Sequence, residues 1–277
     1  MKGLALDGGG CFGIGQAQIL ARVDLSKFDF FVGTSIGSVV AAGLAAGKIP
    51  PSDMPKFFNE NMPKIFKGYR WRQFNYLSAR YPDKELNAVL SKLLPGKYSE
   101  IEKPVFITAV NLGSEKLKVF NSLDAADGTW QTWEVCRAAV AAETYFHPWK
   151  GYADGGIIVN NPAMVEIAAV SRHFDIPVNE IELCSIGTGA SVVPGQKIPQ
   201  GKWNRARWAL WILKTLLNGA TNSMHEYFAE SMPLKKYLRI QFNRQPGWHM
   251  DNPADMKKAQ EFWKLQITDA VEKVKTF

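Results

Sequence analysis

The stretch "FDFFVGTSIGSVVAAGLAAG", Phe28 to Gly47, constrains this chain more than any other. An aromatic run typical of a buried strand leads into Gly33-Thr34-Ser35-Ile36-Gly37. A run of very small residues follows, which reads as a helix over 36–46 packed closely against a neighbour. Strand, glycine-bounded turn and helix in that order form one arm of a βα unit. The two glycines leave room for a sharp turn, and two readings fit it. One is a tight structural turn; the other is an elbow that lifts the Ser35 hydroxyl off the sheet at a helix N-terminus.

The rest of the chain repeats that alternation. Gly3–Leu6 reads as a short buried strand, and Ile14, Ala17, Leu20 and Ala21 recur at helical spacing. Helices are expected over 53–66, 83–94, 132–142, 162–173 and 202–218, and one amphipathic helix from Pro253 nearly to the C-terminus. Strands are expected over 103–111, 117–121, 180–186 and 237–242. Such alternation argues an α/β fold with a mainly parallel sheet covered on both faces. No linker divides it, so residues 1–277 read as one domain.

Two further stretches carry candidate chemistry. Near the start, Asp7 is followed by Gly8, Gly9 and Gly10, whose backbone N–H groups can converge on one point. An oxyanion nest, a plain turn and a phosphate loop all fit. A Walker loop needs a Gly-Lys-Ser/Thr ending, and Cys11-Phe12-Gly13 stands there instead. A dinucleotide fingerprint needs an acidic residue closing the next strand, whereas Asp29 opens it. In "GYADGGIIVNNPA", Asp154 reads either as an Asp-Gly turn or as a carboxylate reaching a shared cleft. Asn161 with Pro162 marks a capped helix start.

A serine hydroxyl needs a base. Of His147, His173, His225 and His249, His147 stands in the most suggestive context, yet it precedes a proline and reads as a loop histidine. Asp154 becomes an adequate base if it is partly desolvated and hydrogen-bonded to Ser35.

Together the pieces resemble the patatin-like phospholipase family. The shared features are "DGGG", "GTSIG", "AAETYFHP", "DGG" with "NNPA", "SIGTG" and the late "YLRIQF", in the family's order. The resemblance implies a three-layer α/β/α fold and lipid acyl hydrolysis by a Ser35–Asp154 dyad. It implies an oxyanion hole from the N–H groups of Gly8, Gly9 and Gly10, with no metal and no cofactor. One departure stands out. Where the family pattern "DGGGxRG" carries a basic residue, this chain has Phe12. Arg137 or the Arg70–Arg72 segment could replace that charge.

Composition sets the remaining expectations. The net charge of +7, from 33 basic and 26 acidic residues, favours anionic surfaces without choosing among them. Cys11, Cys136 and Cys184 form no CxxC pair and read as buried free thiols of a reducing compartment. No leader layout or membrane span is evident. A cytoplasmic protein in peripheral contact with membrane phospholipid or another lipid ester is therefore expected. No nucleic-acid polymer is implied, and a homo-oligomer is compatible. "KWNRARWALWILKTLLN", Lys202 to Asn218, reads either as a buried helix or as an interfacial one with tryptophans at headgroup depth. "FKGYRWRQFNY", Phe66 to Tyr76, has a similar mix. Two other functions stay open: a lipase effector released by an anionic ligand such as a cyclic nucleotide, and a non-catalytic lipid-binding protein on the same fold.

Overall fold

The computed structural model describes residues 1–68, 78–191, 201, 203–215 and 221–277. The Arg70–Arg72 segment, and with it most of the Phe66–Tyr76 stretch, lies outside the described residues.

Six strands run in the spatial order β4 (Lys116–Asn121), β3 (Val105–Asn111), β2 (Phe30–Thr34), β1 (Lys2–Leu6), β6 (Glu182–Ile186) and β8 (Lys236–Ile240). The core of this sheet is parallel, from β3 through β8. The β4 strand is antiparallel to β3. A seventh strand, β5 (Tyr152–Asp154), also pairs antiparallel with β3. A small separate ribbon joins β7 (Ala190–Ser191) to β9 (Asn243–Arg244).

The period of two along each strand divides the core into two layers. Leu4, Leu6, Phe31 and Ile107 face one cluster; Ala5, Phe30, Val32 and Phe106 face the other. The first cluster is packed by α1 (Ile14–Leu20), α2 (Ile36–Ala45), α3 (Met54–Ile65), α4 (Asp83–Leu93) and α5 (Thr132–Ala139). The second is covered by α6 (Ala163–Phe174) and by Ala229 of α8 (Thr221–Ser231). A mainly parallel sheet between helical layers is the expected architecture. The α6 helix starts one residue later than expected, at Ala163, with the Asn161 side chain accepting the Ala163 N–H at 3.0 Å.

Two elements differ from expectation. The final helix is two helices, α9 (Pro253–Phe262) and α10 (Lys264–Thr276). Trp263 breaks it, because its indole is fully buried, stacks on Phe242 at 4.6 Å and donates to the Asn243 carbonyl at 2.8 Å. The tryptophan segment forms α7 (Arg205–Thr215), and Trp208, Trp211 and Ile212 on it are exposed rather than buried between elements. The three cysteines are buried and free.

Candidate active site

The elbow follows from two close approaches. A Cβ on Gly37 would run into the Leu6 carbonyl, so α2 can start against β1 only with glycine there. A Cβ on Gly33 would meet the backbone of Gly37 and Ser38 at 2.5 Å. Between them Ser35 has φ 52 and ψ −126, a conformation that costs an L-residue on the order of 1–3 kcal/mol. Such strain persists only where the surroundings enforce it. Thr34 helps, donating to the Val159 carbonyl at 2.8 Å and meeting the Thr108 hydroxyl at 2.6 Å.

Strand register brings Asp154 alongside. The β2 strand stops pairing with β3 at Thr34↔Thr108, where the chain turns into the elbow. The next residue of β3, Ala109, is the partner of Asp154. The antiparallel β5 thus takes up the edge that β2 vacates, and its last residue lies beside the serine. Ser35 Oγ donates to Asp154 Oδ2 at 2.5 Å, and the Gly156 N–H donates to Oδ1 at 2.7 Å. Asp154 is almost fully buried. Burial pushes its carboxyl up to about 7, against the lowering effect of those two hydrogen bonds. Half-buried Glu143 is pushed up to about 8, by burial first and by the nearby Asp154 charge second.

The glycine loop is fixed from several sides. Thr188 Oγ1 donates to the Gly8 carbonyl at 2.5 Å, and Gln16 Nε2 donates to the carbonyls of Asp7 and Ile186. The Gly8 N–H is engaged by the Asn160 carbonyl at 3.0 Å, which removes it from the expected set of three converging donors. All three glycines still line the cleft. Gly10 has φ 55, and a Cβ there would meet the Met250 carbonyl at 2.5 Å, so this position requires glycine. Asp7 itself faces away from the chemistry. Arg239 grips it with both Nη atoms, at 2.9 and 2.6 Å, and also donates to Ser185 Oγ at 2.7 Å. Burial pushes the Asp7 carboxyl up and the Arg239 charge opposes it; the two-pronged contact favours the ionised pair.

Ser35 stands where two cavities meet. One is apolar and is walled by Ile36, Val39, Phe57, Leu86, Leu90 and Phe146. The other, the more polar of the two, takes Gly8, Gly9, Asp154, Asn160, Thr188 and Arg244. Asp251 at the apolar side is already bound by Arg80 at 2.8 Å and by the Tyr81 hydroxyl at 2.7 Å. No histidine lines either cavity among the described residues. His147 is exposed and paired with Asp83 at 2.7 Å, a loop histidine as its context suggests. Arg137 does not stand in for the missing basic residue. It is buried on Asp83, Asn87 and the His147 carbonyl, and lines neither cavity.

The family model "Patatin-like phospholipase" matches residues 4–167, more than half of the chain. The chain belongs to the patatin-like phospholipase family. Its patatin-like relatives include a protein named cGAMP-activated phospholipase from Escherichia coli (strain TW11681), 27% identical over 271 residues. That alignment covers 84% of this chain and 75% of the relative. A protein of the same name from Vibrio cholerae serotype O1 is 28% identical over 225 residues, covering 67% of this chain and 63% of that protein. "Probable inactive patatin-like protein 9" from Arabidopsis thaliana is 24% identical over 290 residues, covering 87% and 74%. The family's phospholipase chemistry is lipid ester hydrolysis. Asn160, Thr188 and Arg239 were not legible as site residues, although all three sit inside motifs, "NNPA", "SIGTG" and "YLRIQF".

Proposed function

We propose that this chain hydrolyses fatty-acyl esters of membrane lipids through a Ser35–Asp154 dyad and a covalent acyl-enzyme. The observation that carries the reading is the 2.5 Å hydrogen bond from Ser35 Oγ to a buried carboxylate at the junction of an apolar and a polar cavity. Asp154 accepts the hydroxyl proton as Oγ attacks the ester carbonyl, then returns it to the leaving alcohol. A water deprotonated by the same carboxylate releases the acid. The Gly9 and Gly10 N–H groups, with the N-terminus of α2, stabilise the oxyanion. The apolar cavity takes the acyl chain. One unit spanning 1–277 carries this chemistry, since Thr188 and Arg244 reach the cleft from beyond the matched residues.

Membrane contact is peripheral in this reading. Trp208, Trp211 and Ile212 are exposed on α7 beside Arg205 and Arg207, the mixture that seats a helix at an anionic interface. Among the described residues no helix is long and apolar enough to cross a membrane. The decisive experiment combines an ester panel, from neutral acylglycerols to phospholipids, with fluorophosphonate labelling. Hydrolysis and a label on Ser35 are expected. Inertness to the panel and to the probe in folded protein would restore the non-catalytic reading, which the Arabidopsis relative's name suggests and the Ser35–Asp154 contact opposes.

A second reading adds gating. It is favoured by the names of the two bacterial relatives, of whose length the chain spans 75% and 63%. Turnover measured with and without cGAMP separates the two. A rise with bound ligand supports gating; unchanged turnover without binding removes it.

A further inference from the structure

The loop that carries Gly9 and Gly10 is held from both ends. Upstream, the Thr188 hydroxyl and the Asn160 amide hold the Gly8 carbonyl, at 2.5 and 3.4 Å. Downstream, the Cys11 N–H donates to the Met250 carbonyl at 2.7 Å. Gly9 and Gly10 have φ 155 and 55, conformations that side chains seldom adopt, so the direction of their N–H groups depends on those anchors. The Met250 carbonyl and the Asp251 nitrogen share one planar peptide unit. Whatever holds Asp251 therefore orients the acceptor that Cys11 uses.

Asp251 is held from two other segments. Its buried carboxylate accepts from the Tyr81 hydroxyl at 2.7 Å and from Arg80 Nη1 at 2.8 Å, both at Oδ2. The backbone N–H groups of Arg80 and Tyr81 donate in turn to the carbonyls of Thr144 and Tyr145, at 2.9 Å each. The Tyr81 and Tyr145 rings are 4° from parallel, and the Arg80 guanidinium lies 5.6 and 5.9 Å from their centroids. Ser35, Ala142 and Met250 are the described residues that line both cavities. Asp251 thus straps the Met250 side of the cleft to the Ala142 side, with the nucleophile at the same junction.

We propose that Asp251 is a positioning residue for the hydrolysis: through the Met250 carbonyl and the Cys11 N–H it sets the glycine loop so that the Gly9 and Gly10 amides meet the oxyanion. The inference rests on the dyad reading above and adds the residue that aims its oxyanion donors. Such donors act only at hydrogen-bond distance from the oxygen as its charge develops, and a misplacement of about 1 Å costs on the order of 100-fold in rate. A carboxylate lining the cavity of the nucleophile would by itself oppose that developing charge. The Arg80 guanidinium on Asp251 offsets it, so the residue acts through geometry and not through its own field. The same strap reaches the acyl side, because Asp251 and Tyr145 both line the apolar cavity.

The test measures kcat and KM for one lipid ester, together with the rate and the final stoichiometry of fluorophosphonate labelling at Ser35. In Asp251→Ala, kcat should fall roughly 10- to 100-fold with KM within about threefold, because the contact to the oxyanion is made only in the transition state. Labelling should slow by a similar factor and still reach every Ser35. Asp251→Asn keeps an acceptor for the Tyr81 hydroxyl and should recover most of the loss. An unchanged kcat, or a raised KM with kcat intact, overturns the assignment. Labelling as fast as in the wild type but incomplete also overturns it, since Asp251 would then only keep the chain folded. Should Asp251→Ala fail to fold, Tyr81→Phe carries the test. It removes one grip on Asp251, so a several-fold fall in kcat at constant KM is expected, and an unchanged kcat overturns the proposal. A wild-type chain inert to the ester and unlabelled by fluorophosphonate overturns the dyad reading and this proposal with it, a result distinct from a failure at Asp251 alone.

Discussion

Ser35 and Asp154 are 119 residues apart in sequence, and a 2.5 Å hydrogen bond joins them because β5 begins on β3 one residue beyond where β2 leaves it. The proposed base and nucleophile are thus placed by adjacent positions of β3, Asp154 opposite Ala109 and Ser35 just past the rung at Thr108. Ser35→Ala and Asp154→Asn should each lower kcat/KM for a lipid ester by about 1,000-fold or more, with thermal unfolding close to wild type. His147→Ala should stay within about twofold, since its ring holds Asp83 at the surface. A large loss at His147, or retained turnover at either dyad position, would require a different base.

The pH profile follows from the raised carboxyl. Asp154 must be ionised to accept the proton, and burial places it near 7 instead of in the usual carboxylate range. The rate should therefore rise with pH through about 7 and flatten above it. Glu143 is pushed higher, to about 8, partly by the Asp154 charge, so Asp154 ionises first and Glu143 is mostly neutral as the limb rises. Glu143→Gln mimics that neutral carboxyl and should leave the limb near 7. A limb that moved to lower pH would show that Glu143 is the group that ionises first.

What could be read from the sequence was mostly local. The Gly33–Gly37 elbow shows itself because strand, turn and helix are contiguous. The unbroken apolar run Leu4-Ala5-Leu6, with strands and helices alternating after it, foretells a sheet covered on both faces. The site's assembly was less legible. Tyr152–Asp154 is only three residues long, too short for any periodic signal, so the strand that delivers Asp154 looks like a turn. The engaged Gly8 N–H depends on Asn160, far along the chain. The sequence suggests Arg137 as a replacement cation and gives no sign of Arg244, yet the register of β7 and β9 puts Arg244, and not Arg137, at the cleft. Trp263 lies in an unbroken helical pattern, and the aromatic cluster around Phe12 decides that the helix stops there.

Gly37 tests the close approach of α2 to β1. Gly37→Ala would drive a methyl group into the Leu6 carbonyl, and backbone cannot swing aside as a side chain can. A loss of about 3 kcal/mol or more is expected in urea unfolding, near the upper end for overpacking. Gly47→Ala is the control. Nothing lies within 4 Å of its Cβ position, so its cost reflects only φ 59 and should be about 1 kcal/mol. Equal costs at the two positions would mean that the helix start can shift to make room.

The Asp7–Arg239 pair tests whether the motif aspartate is structural. Arg239→Met strands a fully buried carboxylate and should cost about 3–5 kcal/mol. Adding Asp7→Asn removes the stranded charge, so the double variant should recover part of that loss. Turnover of the double variant, measured where it is folded, should stay far above that of Ser35→Ala, because neither side chain lines the cleft. The pair holds the strand that feeds the Gly8–Gly10 loop, so any residual loss should grow with temperature as the loop loosens. A double variant as inactive as Ser35→Ala while still folded would instead place Asp7 in the chemistry.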